Sequence, residues 1–241
     1  MLLRVKGYQE FACYRKPLTY NFWESYPLPT PSNVRGWFHK VVDATDYIPM
    51  AVGITGNFQT VVYDLQTLIK FDRVRESTDK EKASYLEGFN KIMNKSPTYV
   101  ANLYGVELVI YIKSDISHLK KFMENVFKYE YPSLGRREDL IRIDDLTLIE
   151  PTKLESHHNI DYGIYFNKKT AENLSLKGIN YKINFKYNPI DKKNGIRYFE
   201  KKDVVYIDRG FIREDDNLNL LYDEEENRII DLIGDNLGSD S

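Results

Sequence analysis

The amino-acid sequence predicts an α+β fold in which an antiparallel sheet carries helices on one face and a smaller β-rich domain follows. Three observations favour this architecture. Two segments place apolar residues at helical spacing, several others alternate apolar and polar residues as strands do, and past residue 150 only short alternating runs remain. The 241 residues are enough for one elaborated domain or two closely packed ones.

The chain is predicted to begin with a strand and a helix. Residues 1–13 alternate in the manner of a strand, and a helix at about 33–43 follows a proline-rich loop. The apolar residues of this helix recur at i, i+3, i+4, i+7 and i+8, and they are Val34, Trp37, Phe38, Val41 and Val42. This spacing gives the helix one buried face.

Strands are expected in the next segment. Residues 50–70 are rich in Val, Ile, Thr and Tyr and are interrupted at Gly53, Gly56 and Asn57, which predicts a strand pair or one long bulged strand. Residues 72–98 are polar with nearly balanced charges, so they are expected to leave the core.

A strand, a helix and a further strand complete this half. Residues 100–112 are apolar on most of both faces of a strand, a helix capped by Ser114 or Asp115 follows, and a strand is predicted at about 139–149. The resulting order, β-α-β-β-α-β, is that of the ferredoxin-like fold. We therefore expect a ferredoxin-like domain at 1–150.

The remainder is predicted to form the smaller β-rich domain, at 151–233. Short alternating runs lie at 162–166, 181–187, 196–199 and 204–207, and a hairpin is expected to pair 218–222 with 228–233 around an acidic turn. Residues 234–241 have too little apolar content to pack and are expected to be a disordered tail.

The formal charge of -2 conceals an uneven distribution. Residues 214–241 hold ten acidic residues and one arginine, a net charge of -9, which leaves +7 on residues 1–213. A basic body with an acidic end is able to bind a polyanion on one face and repel it elsewhere. Solvated lysines on a β-rich surface are the ordinary alternative.

Composition also argues against several classes of protein. The lone Cys13 cannot form an intramolecular disulfide or a cysteine-based zinc cluster, and no stretch approaches the 18 apolar residues of a membrane helix. Residues 1–6 lack the apolar core of a signal peptide. We expect a cytoplasmic protein that does not enter membranes, and no metal site or nucleotide cofactor is indicated.

The start of the first helix is the strongest candidate for a binding site. Three prolines stiffen the approach to it, and Ser32 is expected to cap it. Opposite the apolar stripe lie Arg35, Gly36, His39 and Lys40, which would form a phosphate-binding corner with the free N–H groups of the first turn. An ordinary capped core helix with a solvated basic face is the alternative.

Several motifs in this order resemble the Cas five family of CRISPR-associated proteins, a branch of the RAMP superfamily, and most closely its subtype I-B. They are Phe11-Ala12-Cys13-Tyr14-Arg15-Lys16-Pro17, Ser32-Asn33-Val34-Arg35-Gly36-Trp37 and Leu134-Gly135-Arg136-Arg137-Glu138. The resemblance covers residues 1–150 and, more loosely, the remainder. The Gly-rich loop that many members of the superfamily carry is reduced here to Asp208-Arg209-Gly210-Phe211, so no role is assigned to Arg209 or Arg213.

The resemblance implies a non-catalytic subunit of a type I Cascade surveillance complex in antiviral defence. Such a subunit binds the 5′ handle of the crRNA, caps the Cas seven backbone, docks the large Cas eight subunit and meets target DNA through the assembled complex. Residues 72–98 would form its thumb, a hairpin that folds over the RNA.

The resemblance also implies the residues that would contact the RNA. Backbone contacts would come from Ser32, Asn33, Arg35 and Gly36, with further phosphate contacts from Arg15, Lys16, Arg136 and Arg137. Bases would stack on Tyr14 and Tyr20. A buried tyrosine with a satisfied hydroxyl is the alternative for either.

One branch of this family, in subtype I-C, cleaves precursor crRNA without a metal ion and provides the alternative function. That reaction requires a base, a cation and an acid around the scissile phosphate. His118 with Lys120 and Lys121 is the nearest approach to such a cluster. We expect a scaffold that is not an enzyme.

Overall fold

The structure, a computed structural model, describes residues 1–76, 91–128, 132–155, 157–191, 196–213 and 220–237. The strands of these residues are β1 Leu2–Ala12, β2 Tyr14–Arg15, β3 Phe22–Trp23, β4 Ser25–Tyr26, β5 Ala51–Asn57, β6 Thr60–Glu76, β7 Lys91–Lys113, β8 Arg142–Ile149, β9 Thr152–Lys153, β10 His158–Ile160, β11 Gly163–Asn167, β12 Ile179–Asp191, β13 Ile196–Ile207, β14 Gly210–Ile212, β15 Leu221–Asp223, β16 Arg228–Ile230 and β17 Ile233–Gly234. The helices are α1 Pro31–Val41, α2 Ile116–Asn125 and α3 Lys168–Asn173, with a 3₁₀ turn at Val126–Lys128.

One large, mostly antiparallel sheet organises the fold, with its main strands in the order β12-β13-β11-β5-β7-β1-β8 and β3 paired in parallel with β7. Its central strand, β7, pairs with β1 on one side and β5 on the other, so that Ile110 lies between Val5 and Ile54. The predicted α+β class is confirmed. The helix predicted at about 33–43 is α1, and the second is α2, which has Asp115 at its N-cap.

Residues 50–70 form two strands that do not pair with each other. Strand β5 pairs with residues 107–113 of β7, and β6 pairs with residues 91–104 of the same strand. Gly105 separates the two zones, with a φ of 62° that lies in the left-handed region. The expected strand pair or bulged strand is therefore wrong, because β7 is long enough to serve as partner to both.

Helices α1 and α2 pack on one face of the sheet. The Phe38 and Phe122 rings, both fully buried, stack with centroids 5.2 Å apart, and Trp37 meets Phe122 edge-on at 5.0 Å. The core of this face also contains Val34, Val41 and Val42. The predicted apolar stripe of α1 is confirmed.

The hairpin of β15 and β16 covers the opposite face of the sheet. Ile230 packs there against Leu2, Val109 and Tyr111. The hairpin predicted at 218–222 and 228–233 is confirmed, with the shorter paired segments Leu221–Asp223 and Arg228–Ile230.

Strands from the second half of the chain extend the same sheet. Strand β11 pairs with β5, β13 with β11, and β12 with β13. The division into domains at 1–150 and 151–233 stays a prediction. Within the expected tail, Gly234 pairs with Ala51 and Asp235 bonds Tyr47, whereas residues 238–241 lie outside the described residues.

Strands β6 and β7 project beyond the sheet as a two-stranded ribbon. Their pairing runs from Thr60↔Tyr104 to Glu76↔Lys91. The excursion expected at 72–98 falls on this ribbon at 72–76 and 91–98, and its part at 77–90 lies outside the described residues. None of the helices in the described part of the chain is long and apolar enough to cross a membrane.

Candidate nucleic-acid interface

Helix α1 is capped two residues earlier than the sequence suggested. Thr30 is the N-cap: its hydroxyl accepts the N–H of Asn33, and the Asn33 side-chain oxygen accepts the N–H of Thr30 at 3.0 Å. Pro31 occupies the first helical position, where its missing N–H costs nothing. The prediction that Ser32 is the cap is wrong, and Ser32 lies inside the first turn.

Arg35 is buried rather than exposed, with 6% of its surface accessible. Its Nε donates to the carbonyl oxygen of Phe185 at 3.0 Å, and its guanidinium lies 5.3 Å from the Tyr47 ring centroid and 5.9 Å from that of Tyr187. Burial lowers the pKa of Arg35. The expected exposed position of this residue is wrong because β12 packs against that side of α1.

Arg136 holds together the turn in which it lies. Its backbone N–H and its guanidinium both donate to Asp139, a buried carboxylate that also accepts the N–H of Cys13. The guanidinium Nη2 that donates to Asp139 also donates to the side-chain oxygen of Asn102, at 2.9 Å. Arg136 is thus committed to protein partners, whereas Arg137 beside it is exposed.

The structure brings the α1 corner and this turn together, although they are a hundred residues apart in the chain. They line one cleft with a volume of about 570 Å³. Its lining residues are Ser32, Asn33, Gly36, Trp37, Lys40, Val41, Pro132, Ser133, Gly135, Arg136, Arg137 and Phe199. Five of the nine predicted RNA-binding residues therefore share one surface.

Gly36 leaves open space on the cleft side of α1. A Cβ atom at this position would meet no atom within 4 Å. Because a Cβ atom would fit here, packing among the described residues does not require a glycine. Glycine is also less favourable than alanine inside a helix. Open space beside a glycine suits a ligand backbone that approaches closely.

Four other candidate residues, Tyr14, Arg15, Lys16 and Tyr20, lie outside the lining of this cleft. Tyr14 is buried and its hydroxyl donates to Gln9 at 2.6 Å, so the expectation that it stacks with a base is wrong. Arg15 is exposed and lies 4.0 Å from the Trp23 ring centroid, and Lys16 pairs with Glu24 at 3.0 Å. Tyr20, the other stacking candidate, is 73% exposed.

Phe199 was missed by the sequence reasoning. It lies on β13 and enters the cleft lining from the second half of the chain. Nothing local in its sequence marks it, because its position beside α1 depends on how β12 and β13 join the sheet.

The candidate catalytic residues His118, Lys120 and Lys121 lie on α2. His118 is half-buried, and its Nδ1 is enclosed without a hydrogen-bond partner, while Lys120 and Lys121 are exposed on α2. His39 is structural: Nδ1 lies 2.9 Å from the Arg35 carbonyl oxygen, and Nε2 accepts the Ile48 N–H. Among the described residues, no three His, Cys, Asp or Glu side chains converge on a possible metal position.

Comparison with known proteins finds structures of similar fold but no match by sequence. No family model and no curated protein matches the sequence. The structure resembles a chain of a CRISPR RNA-guided surveillance complex with a TM-score of 0.55 and 11% identity, over 88% of this chain and 90% of that chain.

Two further solved structures resemble it less. A Cas protein crystal structure gives a TM-score of 0.46 at 9% identity, over 90% of this chain and 97% of that one. A type III-B Cmr-β complex bound to target RNA gives 0.43 at 12% identity, over 88% and 86%. The surveillance-complex chain, whose TM-score exceeds 0.5, shows that the two share a fold.

Proposed function

We propose that the chain is a subunit of a CRISPR RNA-guided effector complex: a Cas five protein of a type I-B Cascade that binds the 5′ handle of the crRNA. The observation that carries the proposal is the cleft in which Ser32, Asn33 and Gly36 meet Arg137. The fold shared with a surveillance-complex chain supports it.

The strand order supports a ferredoxin-like arrangement at the centre of the fold. Strands β5, β7, β1 and β8 are adjacent in that order, and each neighbouring pair is antiparallel. Helix α1 connects β1 to β5 and α2 connects β7 to β8. This is the order expected of a β-α-β-β-α-β unit.

The cleft has the chemistry needed for a sugar-phosphate backbone. Arg137 supplies an exposed cation, Ser32 supplies a hydroxyl, and Gly36 allows close approach. Arg136 acts indirectly, by fixing the turn that presents Arg137. Arg15 and Lys16 would contact the RNA outside the cleft.

The β6–β7 ribbon is assigned as the thumb, and its base as a contact for other subunits. Phe22, Tyr63, Leu65 and Tyr99 are exposed there, and the Phe22 and Tyr63 rings lie 5.7 Å apart. Exposed aromatic residues of this kind are typical of protein interfaces. We assign them to the Cas seven and Cas eight subunits, through which target DNA would be reached.

Binding to labelled repeat RNA tests the proposal. We expect the protein to bind single-stranded repeat RNA with an affinity that falls as salt rises, and to leave the RNA intact with or without EDTA. Arg137→Glu is expected to weaken binding at least tenfold. Lys153→Glu, the same charge change at an exposed residue of β9 that does not line the cleft, is the matched control.

Two outcomes would contradict the proposal. Equal loss in Arg137→Glu and Lys153→Glu would show that binding follows net charge and not the cleft. Cleavage of the repeat RNA in EDTA would favour the metal-independent endoribonuclease, and His118→Ala would then be expected to abolish it.

A further inference from the structure

We infer that Phe199 is a base-stacking wall of the cleft and that Arg35 is the positioning residue that holds it there. The inference rests on the proposed function, since it names how the RNA-binding cleft contacts bases. It assigns to Arg35 a role different from the direct RNA contact expected from the sequence.

Phe199 provides the cleft with an aromatic ring whose face is available for stacking. Among the described residues that line the cleft, Trp37 is the other aromatic residue, and its ring already packs edge-on against Phe122 at 5.0 Å. Phe199 is partly exposed and lines the same cleft as Gly36 and Arg137. A nucleotide whose backbone lies along Gly36 would have its base beside this ring.

The ring of Phe199 is held by its neighbour on β12. Tyr187 pairs with Phe199 in the strand register, and their rings meet at 6.1 Å with an interplanar angle of 63°. Tyr187 in turn lies 5.9 Å from the Arg35 guanidinium. A chain of contacts thus runs from α1 through Tyr187 to the cleft.

Arg35 fixes the β12–β13 hairpin against α1. Its Nε bonds the Phe185 carbonyl at 3.0 Å, and its guanidinium also lies 5.8 Å from the Phe185 ring centroid. Beside it, Lys186 donates to Asp235 at 3.3 Å and pairs with Glu200 at 3.4 Å. Because Arg35 is enclosed by these groups, it is poorly placed to reach a phosphate in the cleft.

Phe199→Leu tests the stacking role, since leucine keeps the apolar volume and removes the aromatic face. We expect about a tenfold loss of affinity for single-stranded repeat RNA with no change in the salt dependence of binding. An abasic oligoribonucleotide of the same length should bind the wild type and Phe199→Leu equally. Phe211→Leu, an exposed phenylalanine on β14, is the control and should bind both probes like the wild type.

Arg35→Lys tests the positioning role, because lysine keeps the charge and loses the planar donor. We expect the same loss as in Phe199→Leu, an unchanged salt dependence, and no further loss in the double variant. Arg35→Gln, which removes the charge, identifies the opposite case: a direct phosphate contact by Arg35 would reduce the salt slope of this variant by about one and add to the Phe199→Leu effect.

Tyr187→Leu serves as a second test if Arg35→Lys does not fold. Tyr187 is exposed at its edge, so this variant should remain folded while it breaks the contact with Phe199. Wild-type affinity in Phe199→Leu would overturn the stacking role, and additive effects of Arg35 and Phe199 would overturn the positioning role. A wild-type protein that binds no RNA would instead reject the proposed function.

Discussion

Arg4 and Asp223 form a buried ion pair between residues 219 positions apart in the chain, with Nη1 and Oδ2 separated by 3.2 Å. Both side chains are at most 4% exposed. Arg4 also bonds Asp145, and the Tyr111 hydroxyl donates to Asp223 at 3.0 Å. This cluster attaches the β15–β16 hairpin to the face of the sheet opposite the helices.

Removing one partner of this pair should be costly. Arg4→Met leaves the Asp223 carboxylate buried without its cation, and we expect a loss of about 3–5 kcal/mol in the free energy of unfolding. Urea denaturation would measure it. Arg142→Met, which removes an exposed arginine from β8, is the control and should leave the urea midpoint close to that of the wild type.

The double variant Arg4→Met/Asp223→Leu tests whether the instability of Arg4→Met comes from the unpaired Asp223 carboxylate or from the loss of the packing of the arginine side chain. Apolar replacement of both partners should recover much of the stability, because no uncompensated charge remains between these two positions. A double variant as unstable as Arg4→Met would contradict this explanation.

Variants of the adjacent Arg136 and Arg137 should affect different properties: the first should lower the stability of the fold, and the second should lower the affinity for RNA. Arg136→Ala removes several hydrogen bonds to the buried Asp139 and should cost about 2 kcal/mol of stability. Arg137→Ala should change stability by less than about 0.5 kcal/mol and weaken RNA binding. Thermal unfolding and RNA titration of both variants measure the two effects. Equal melting temperatures for the two variants would refute the structural role of Arg136.

Gly36→Ala should stabilise the free protein and weaken its complex with RNA. The new methyl group meets no protein atom, so the gain in helix propensity is about 0.5–1 kcal/mol. The same methyl group would occupy the space where the RNA backbone approaches. Ser117→Ala, at an exposed position of α2, is the control that should leave RNA affinity unchanged.

His39 should make the protein less stable in mild acid. Burial lowers the pKa of His39, so the folded state favours the neutral ring. Its contribution is complete above the unfolded pKa of about 6.5 and is lost as the pH falls through the lower folded pKa. We expect a lower melting temperature at about pH 5.5 than at about pH 7.5, with a smaller difference in His39→Gln.

His158 is a second histidine that should contribute to the same acid sensitivity. Burial also lowers the pKa of His158, whose Nε2 lies 3.1 Å from the hydroxyl oxygen of Tyr162. The acid sensitivity that remains in His39→Gln should therefore fall further when His158→Gln is added. No change in acid sensitivity in either variant would contradict both assignments.

Local patterns predicted the elements well because they depend on neighbouring residues. The stripe from Val34 to Val42 specified α1, and alternation specified β1 and β8 within a few residues. The same patterns could not show that β5 and β6 share β7, because that depends on the length of a strand formed later in the chain.

The site was harder to predict because side-chain exposure depends on distant partners. A basic residue on the polar side of α1 was expected to be solvated, yet Phe185 and Tyr187 of β12 enclose Arg35. Tyr14 was likewise buried by contacts that its own motif does not reveal. Ser32, Asn33, Gly36 and Arg137 lie at helix and turn positions that local sequence specifies, and they line one cleft, while their contact with RNA stays a prediction.

The position of β1 between β7 and β8 has a consequence for synthesis on the ribosome. Neither sheet neighbour of this strand exists until residues beyond 90 have been made. The nascent chain must therefore carry Leu3 and Val5 without their native cover until β7 has been made. We expect early nascent chains to recruit chaperones, and completion of β7 to end that dependence.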